Sequence, residues 1–174
     1  FTQIEDLSVD VSKHDRSVTF ASAPSLSKYD VFVTYNPTDY SWHSSNAEYR
    51  AGEFCRADVI SGSVVTLQSA LNDDYAFGDI DVYKLTTPTT CRIVGFSLKA
   101  LPDTSSITDG VSLKGGVDCV IEDVKATNAS YRCISVTSCF NVTIKNVTCM
   151  EDGSQDFGLD YGLGISNSSN ITVE

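Results

Sequence analysis

The stretch Val142-Thr-Ile-Lys-Asn-Val147 has an earlier counterpart, Cys119-Val-Ile-Glu-Asp-Val124, and both have apolar residues at their first, third and sixth positions. Two further stretches, Cys91-Arg-Ile-Val-Gly-Phe96 and Ile171-Thr-Val173, follow the same pattern. The first residues of the four stretches are separated by 119−91 = 28, 142−119 = 23 and 171−142 = 29 positions. A repeat of this length is typical of a solenoid, in which successive turns of the chain stack on one another.

Apolar residues occupy the same six positions of every repeat, apart from the positions of the last repeat that lie beyond residue 174. If the first residue of each stretch is position 0, these positions are −8, −6, 0, +2, +5 and +7. The two leading columns run from Tyr83 and Leu85 in the first repeat to Leu163 and Ile165 in the last. Alternation with a period of two predicts β-strands with one buried face. Three short strands per repeat predict an all-β fold, a parallel β-helix whose coils stack about 4.8 Å apart.

Residues that tolerate a left-handed backbone stand where the predicted coils must bend. They are Gly95, Asp123 and Asn146 after the repeated strand, and Asp118, Asn141 and Asn170 before it. Five asparagines lie in Asn-X-Ser/Thr sequences: Asn128, Asn141, Asn146, Asn167 and Asn170. Because three of them coincide with bends, a structural role is favoured over glycosylation, although a secreted eukaryotic protein would carry glycans there.

The repeat is absent from the first part of the chain, which is nevertheless rich in strand signals. Val18–Phe20 and Val31–Val33 are short β-branched and aromatic runs, and a hairpin is predicted from 54–60 and 64–67 around Ser61-Gly-Ser63. We therefore expect a β-rich capping segment over residues 1–80 and β-helix coils over residues 81–174. Because the alternating strand pattern continues up to Glu174, we expect these coils to be the start of a longer β-helix, and the chain to be a fragment.

The charge and the hydropathy of the chain exclude two kinds of partner. Twelve Lys and Arg against 23 Asp and Glu leave a formal charge of −11 among 174 residues. So acidic a protein lacks the basic surface that a phosphate backbone requires, and nucleic acid is therefore not expected as a partner. No apolar run approaches the roughly 18 residues of a membrane span, so membrane insertion is not expected either.

The six cysteines are scattered without paired spacing, and His14 and His43 are the only histidines in the sequence. No metal site is predicted from them. Buried free thiols are favoured over a disulfide framework, because small cross-linked domains contain more cysteine per residue. Cys91 and Cys119 fall in one inward column of neighbouring coils, where a bridge or a stacked pair of thiols would fit, and the thiol pair is favoured.

These coils resemble those of a known family. Cys91-Arg-Ile-Val-Gly-Phe-Ser-Leu98, Thr108-Asp-Gly-Val-Ser-Leu113 and Asn141-Val-Thr-Ile-Lys-Asn-Val-Thr148 are similar to coils of pectate-lyase-like right-handed β-helices. The upstream block Tyr49-Arg-Ala-Gly-Glu-Phe-Cys55, with Val64-Val-Thr-Leu67, resembles the segment before the helix in bacteriophage tailspikes and tail fibres.

The resemblance implies a right-handed helix and a homotrimer that binds bacterial surface polysaccharide (capsule or O-antigen). Many members of the family also cleave it, by hydrolysis or by elimination. It further implies a location in the virion tail. Secreted pectinases share the fold, but the motifs of their polygalacturonase branch are matched only by Thr108-Asp-Gly110, and no histidine follows His43.

A polysaccharide-binding or catalytic site is predicted where the coils differ in length. The connections at one edge span 99–110, 127–133 and 150–162, so a short middle coil is flanked by two long ones. Insertions on one face of a solenoid often mark its binding face. In this frame Asp109, Arg132 and Tyr161 form one column, and Thr108, Tyr131 and Asp160 form the next.

The short middle coil leaves a notch between the two long connections. Paired carboxylates in this notch suit glycoside cleavage, in which one carboxylate acts as acid and the other as base or nucleophile. We expect Asp109 and Asp160 to be this catalytic pair if the catalytic residues lie within the chain. Arg132 would orient the sugar or form an ion pair between coils. Asp152 and Asp156 would contact substrate or serve as a second pair. Tyr131 and Tyr161 would stack on sugars or cover the edge.

No cofactor is predicted, although the acidic run from Glu151 to Asp160 leaves a calcium site open as an alternative to a solvated turn. The sequence as a whole is best explained as a tailspike segment that recognises surface polysaccharide and belongs to a depolymerase. Two other interpretations stay open. One is a non-catalytic receptor-binding or stem module of a tail fibre. The other is a secreted pectinase-like enzyme, which would be a monomer with glycosylated asparagines.

Overall fold

The structure is a computed structural model that describes residues 1–38, 51–86, 88–99, 109–129, 131–151 and 161–174. Within these ranges the chain is all-β, with fourteen strands and no helix. It divides into two compact units, Phe1–Thr87 and Pro88–Glu174.

The first unit is built on one antiparallel sheet. Its strands are β1 (Thr2–Gln3), β2 (Ser17–Thr19), β3 (Val31–Asn36), β4 (Ala51–Ser61), β5 (Val64–Leu67) and β6 (Asp81–Lys84). Their order in the sheet is β1-β6-β3-β4-β5-β2. The predicted hairpin is confirmed, because β4 and β5 pair antiparallel and Gly62 takes the left-handed conformation that their turn requires, with φ of 62°.

One face of this sheet packs on an apolar core. Phe20 and Phe32 are buried in it and meet edge to face, with ring centroids 6.0 Å apart. A carboxylate lies among these apolar residues, because Glu53 of β4 is only 8% exposed. Glu53 accepts hydrogen bonds from the Asn72 backbone N–H (2.9 Å), Asn72 Nδ2 (2.7 Å) and the Tyr75 hydroxyl (3.1 Å). These donors replace the water that the charge gives up on burial.

Strand β6 differs from its sequence prediction. Tyr83 and Leu85 were expected in the columns of the repeat, but β6 pairs antiparallel with β1 and with β3, where Tyr83 lies opposite Val33. The division between the units accordingly falls after Thr87, whereas the predicted boundary followed residue 80. The reason is that alternation defines the buried face of a strand equally well in antiparallel and parallel sheets, and so does not identify its neighbour.

The second unit is a stack of parallel strands. They are β7 (Arg92–Lys99), β8 (Asp109–Lys114), β9 (Val117–Thr127), β10 (Arg132–Thr137), β11 (Phe140–Lys145), β12 (Thr148–Met150), β13 (Tyr161–Ser166) and β14 (Ser169–Val173). One sheet has the order β13-β10-β8; the other has β12-β9-β11-β14, with β7 also on β9. Every pairing in both sheets is parallel.

The register of these pairs confirms the three repeat lengths. Val142 pairs with Cys119 on one side and with Ile171 on the other. Ile93 pairs with Ile121, as the spacing of 28 requires. The inward columns are the core of this unit, where Ile121, Ile134 and Val136 are fully buried. Stacking therefore buries faces that a single coil would leave open to water.

The predicted bends are also confirmed. All six bend residues have positive φ, between 48° at Asn146 and 71° at Gly95. Successive bends are linked by side-chain hydrogen bonds, from Asn141 Nδ2 to Asp118 Oδ1 (2.5 Å) and from Asn146 Nδ2 to Asp123 Oδ1 (2.6 Å). Asparagine at these positions thus has a structural role, because it accepts the left-handed backbone and bonds to the bend beside the neighbouring strand.

The cysteines only partly follow the prediction. Cys91 and Cys119 are stacked thiols, as expected, with their Sγ atoms 3.6 Å apart, and Cys55 and Cys139 are free and buried. The preference for free thiols is wrong for Cys133 and Cys149, which form a disulfide across 5.7 Å between Cα atoms. Cys133 belongs to the sheet of β10 and Cys149 to that of β12, and spacing along the chain does not indicate which residues meet between two sheets.

Candidate functional site

Asp109, Arg132 and Tyr161 lie in one row across the three-stranded parallel sheet. Arg132 pairs with Asp109 of β8 on one side and with Tyr161 of β13 on the other. The predicted column is therefore confirmed for the backbone. The other acidic candidates, Asp152, Asp156 and Asp160, lie outside the described residues, as do Thr108 and the side chain of Tyr161.

The guanidinium of Arg132 is held by uncharged partners. Nη1 donates to Ser135 Oγ at 3.2 Å, and Nη2 donates to the Tyr131 hydroxyl at 3.0 Å. Arg132 Cζ also lies 4.4 Å from the centroid of the Tyr131 ring, a cation–π contact that favours this position. Among the described residues no carboxylate forms an ion pair with Arg132. Within the described ranges the guanidinium is therefore held in position without a carboxylate partner.

Gly164 provides the space for this side chain. A Cβ atom at position 164 would lie 2.5 Å from Arg132 Cδ and 2.7 Å from Nε. Ser135, which pairs with Gly164 across β10 and β13, is 2% exposed although its side chain is polar. Sequence reasoning missed Ser135 and Gly164. The available signal was Tyr161-Gly-Leu-Gly164, in which glycines fill the alternate positions that face away from the core.

Asp109 contributes an unusual acceptor to the same row. Its Oδ1 atom is buried and has no hydrogen-bond partner in the part of the chain that the structure describes. A buried carboxylate oxygen without a donor is energetically costly. The neighbouring Gly110 allows β8 to approach β10 closely, because a Cβ there would lie 2.6 Å from the Cys133 carbonyl oxygen.

Asp109 and Arg132 do not form an ion pair with each other, although their strands are neighbours in register. Arg132 crosses towards β13, where Gly164 leaves room, and its hydrogen bonds to Ser135 and Tyr131 hold it there. Within the part of the chain that the structure describes, the row therefore contains a cationic donor without an ion-pair partner and a carboxylate oxygen without a donor. A sugar, whose hydroxyls both donate and accept, matches this arrangement chemically.

The described residues contain no cluster of three or more His, Cys, Asp or Glu side chains that could hold a metal ion. Most of the acidic run predicted as an alternative calcium site, from Asp152 to Asp160, lies outside them, so that alternative stays a prediction. No helix able to cross a membrane is found in the described ranges.

Residues 1–85 match the family described as tailspike protein-like, Ig-like domain. Along nearly its whole length the chain is also similar to the tailspike gp61 of Pseudomonas phage phi297, with a TM-score of 0.80, 30% identity and 99% of the chain covered. The chain is a tailspike-like phage protein. Homology to phage tailspikes implies a location in the virion tail.

Two further structures resemble this tailspike-like chain. The tailspike gp49 of Pseudomonas phage LKA1 is 29% identical over 96% of the chain, with a TM-score of 0.69. The Gp54 tailspike of Acinetobacter baumannii phage AP22, solved in complex with A. baumannii capsular saccharide, is 17% identical over 94% of the chain, with a TM-score of 0.53, a likeness of fold alone.

The chain spans 28%, 29% and 34% of the lengths of the phi297, LKA1 and AP22 proteins, respectively. Comparison with curated protein sequences gives no significant match.

Proposed function

We propose that this chain is the part of a phage tailspike that recognises bacterial surface polysaccharide, and that the full protein depolymerises that polysaccharide. The observation that carries the proposal is the pair of charges in the row Asp109–Arg132. Among the described residues, Arg132 has a fixed guanidinium without a carboxylate partner, and Asp109 has a carboxylate oxygen without a donor. The capsular saccharide bound by the AP22 tailspike supports a saccharide as the ligand of this fold.

The second unit is proposed to be a right-handed parallel β-helix. Its parallel pairs at repeats of 23, 28 and 29 residues support this winding, and connections between parallel strands of one sheet are right-handed in nearly all proteins. We further propose that the protein is a homotrimer, as implied by the resemblance to tailspikes. Light scattering on the full-length protein after size exclusion tests this: a mass of three chains is expected, and a monomer would contradict it.

In the proposed site, Arg132 orients the sugar through its guanidinium, while Tyr131 and Tyr161 supply stacking surfaces. Asp109 and Asp160 act as the acid and base pair, and Asp152 and Asp156 contact the substrate from the flanking connection. The strands β8 and β13 lie on opposite sides of β10, about 10 Å apart. Carboxylates that lean towards each other from such strands suit the separation of roughly 6.5–9.5 Å found in inverting glycosidases.

The test uses the full-length tailspike and the surface polysaccharide of a host that the phage infects. Asp109→Asn and Asp160→Asn are each expected to lower cleavage at least about a hundredfold, measured as new reducing ends or unsaturated products, while binding persists. Asp123→Asn is the matched control, because it keeps the side-chain oxygen that accepts from Asn146 and lies in the other sheet.

Arg132→Gln is expected to weaken polysaccharide binding, whereas Arg92→Gln, which changes an exposed arginine of the other sheet, is expected to leave it unchanged. The proposed site would be contradicted if Arg132→Gln binds the polysaccharide at wild-type strength and Asp109→Asn and Asp160→Asn cleave it at the wild-type rate.

A second function is a non-catalytic receptor-binding or stem module. The observation in its favour is the short span of the chain, 28% of the phi297 tailspike, since catalytic residues would then lie elsewhere in the full protein. It predicts that Arg132→Gln abolishes binding while Asp109→Asn and Asp160→Asn leave product release unaltered. The comparisons favour both phage functions over a secreted pectinase.

A further inference from the structure

The thiols of Cys91 and Cys119 are held close together in the second unit. Their Sγ atoms are 3.6 Å apart, and Cys119 Sγ donates to the Thr89 carbonyl at 3.1 Å. Cys91 immediately precedes β7, and the register of Arg92 with Val120 places Cys91 directly beside Cys119 on β9. Adjacent parallel strands lie about 4.8 Å apart, a spacing within the range of Cα separations that disulfides span.

The backbone on both sides of the pair is anchored by hydrogen bonds. Thr89 N donates to the Gly115 carbonyl, Val117 N donates to the Thr89 carbonyl, and Val120 N donates to the Cys91 carbonyl, at 3.4, 2.9 and 3.0 Å. These bonds hold the segment before β7 against the start of β9. Because these bonds hold the backbone on both sides, we expect the two sulfurs, 3.6 Å apart, to reach bonding distance chiefly by rotation of the side chains.

We propose that Cys91 and Cys119 are a disulfide-forming site that closes when the protein meets a disulfide oxidant such as oxidised glutathione. The Cys91 thiolate attacks one glutathione sulfur, giving a mixed disulfide and releasing one glutathione. The Cys119 sulfur then attacks Cys91 Sγ, loses its proton and releases the second glutathione. Two protein thiols and one glutathione disulfide thus become one protein disulfide and two glutathione thiols.

The order of attack follows from exposure. Cys91 is partly exposed, whereas Cys119 is 1% exposed and burial raises the pKa of its thiol. Because the thiolate is the nucleophile, the more accessible sulfur reacts first with a soluble oxidant and the buried one resolves the intermediate. Cys139 and Cys55 are both buried, and burial raises the pKa of each thiol, so they stay reduced.

The bridge would stabilise an edge of the stack. Strand β7 is paired with β9 and, within the described ranges, with no other strand, and Val94 and Phe96 on it are exposed. A covalent link just before β7 would keep this strand on β9. A virion tail protein assembles inside the reducing bacterial cytoplasm and acts outside the cell, so the bridge would form after release.

The experiment places the native full-length protein in a glutathione redox buffer, then alkylates it in denaturant and digests it with trypsin. Within this chain, two of the four free thiols are expected to be lost. The expected cross-link joins the tryptic peptides 85–92 and 115–125, which are distinct from peptide 133–145 with Cys133 and Cys139. Hydrogen exchange of the β7 amides is expected to become about tenfold slower on oxidation.

Cys91→Ser is expected to abolish both the cross-link and the slower exchange, while the control Cys139→Ser keeps both. The proposal would be overturned if all four thiols persist, if Cys119 pairs with Cys139, or if the cross-link forms only in denaturant. A cross-link that leaves the exchange of β7 unchanged would overturn the stabilising role.

Discussion

The Arg132 side chain lies directly over Gly164. A Cβ atom at position 164 would lie 2.5 Å from the Cδ atom of Arg132. The guanidinium is held beyond this point by Ser135 and Tyr131. The absence of a side chain at position 164 therefore allows Arg132 to lie across β13 instead of turning back towards Asp109 on β8.

The first prediction concerns the close contact between Arg132 and Gly164. Gly164→Ala is expected to displace the guanidinium from Ser135 and Tyr131, because the added methyl group and the middle of the arginine side chain compete for one space. Polysaccharide binding by the full-length protein should weaken about tenfold or more, a loss of about 1.4 kcal/mol, in a binding titration. Gly162→Ala, on the same strand, is the control, since a Cβ at 162 meets nothing within 4 Å. Equal affinities of the two variants would contradict this role of Gly164.

The second prediction concerns the bends. Asn141→Ala is expected to lower the free energy of unfolding by about 1.5 kcal/mol, because alanine pays the cost of a left-handed backbone and loses the bond to Asp118. Asn141→Gly removes the same bond but accepts the positive φ, and should cost only about 0.5 kcal/mol. Denaturant unfolding of both variants measures the difference. A glycine variant no more stable than the alanine variant would show that the backbone conformation is not the reason for asparagine here.

The third prediction concerns the buried carboxylate of the first unit. Glu53→Ala removes the acceptor for both N–H groups of Asn72 and for the Tyr75 hydroxyl, and is expected to cost about 3 kcal/mol or more. Glu5→Ala is the control, because Glu5 accepts one exposed bond from the Ser25 N–H and its loss should cost less than about 1 kcal/mol. Thermal or denaturant unfolding distinguishes the two. Similar losses in both variants would contradict a central role for Glu53.

The fourth prediction concerns alkaline pH. Burial, and then the charge of Glu53, raise the pKa of Tyr75 above the usual value of about 10. Below pH of about 10 the phenol is protonated in both states, so its contribution to stability is fully present there. As the pH rises towards the folded-state pKa, the unfolded state loses the proton first and stability falls by at most about 1.4 kcal/mol per pH unit.

Unfolding free energies measured in denaturant at several alkaline pH values test this. Tyr75→Phe is expected to lower stability at neutral pH, because the bond to Glu53 is lost, but to show a shallower decline above pH of about 10. Parallel declines in the wild type and the variant would contradict the assignment to Tyr75. Burial also raises the pKa of Cys55, so part of the decline should remain in the variant.

Much of the second unit could be predicted from its sequence, because its parallel strands repeat one pattern. The apolar columns must coincide when coils stack, so the spacings of 23, 28 and 29 residues led directly to the observed strand pairs. The same spacings correctly predict Asp109, Arg132 and Tyr161 in one row. The prediction for Tyr83 is wrong, because β6 has the same alternation but pairs in an antiparallel sheet.

The sequence by itself therefore determined the buried faces, the bends and the register of the coils, since these depend on short-range alternation and on local backbone preference. Only the tertiary structure decided which sheet β6 joins, that Cys133 meets Cys149, and that Arg132 lies over Gly164. Alternation determines the face on which a side chain lies, whereas its partner on that face depends on the space left by residues far away in the chain.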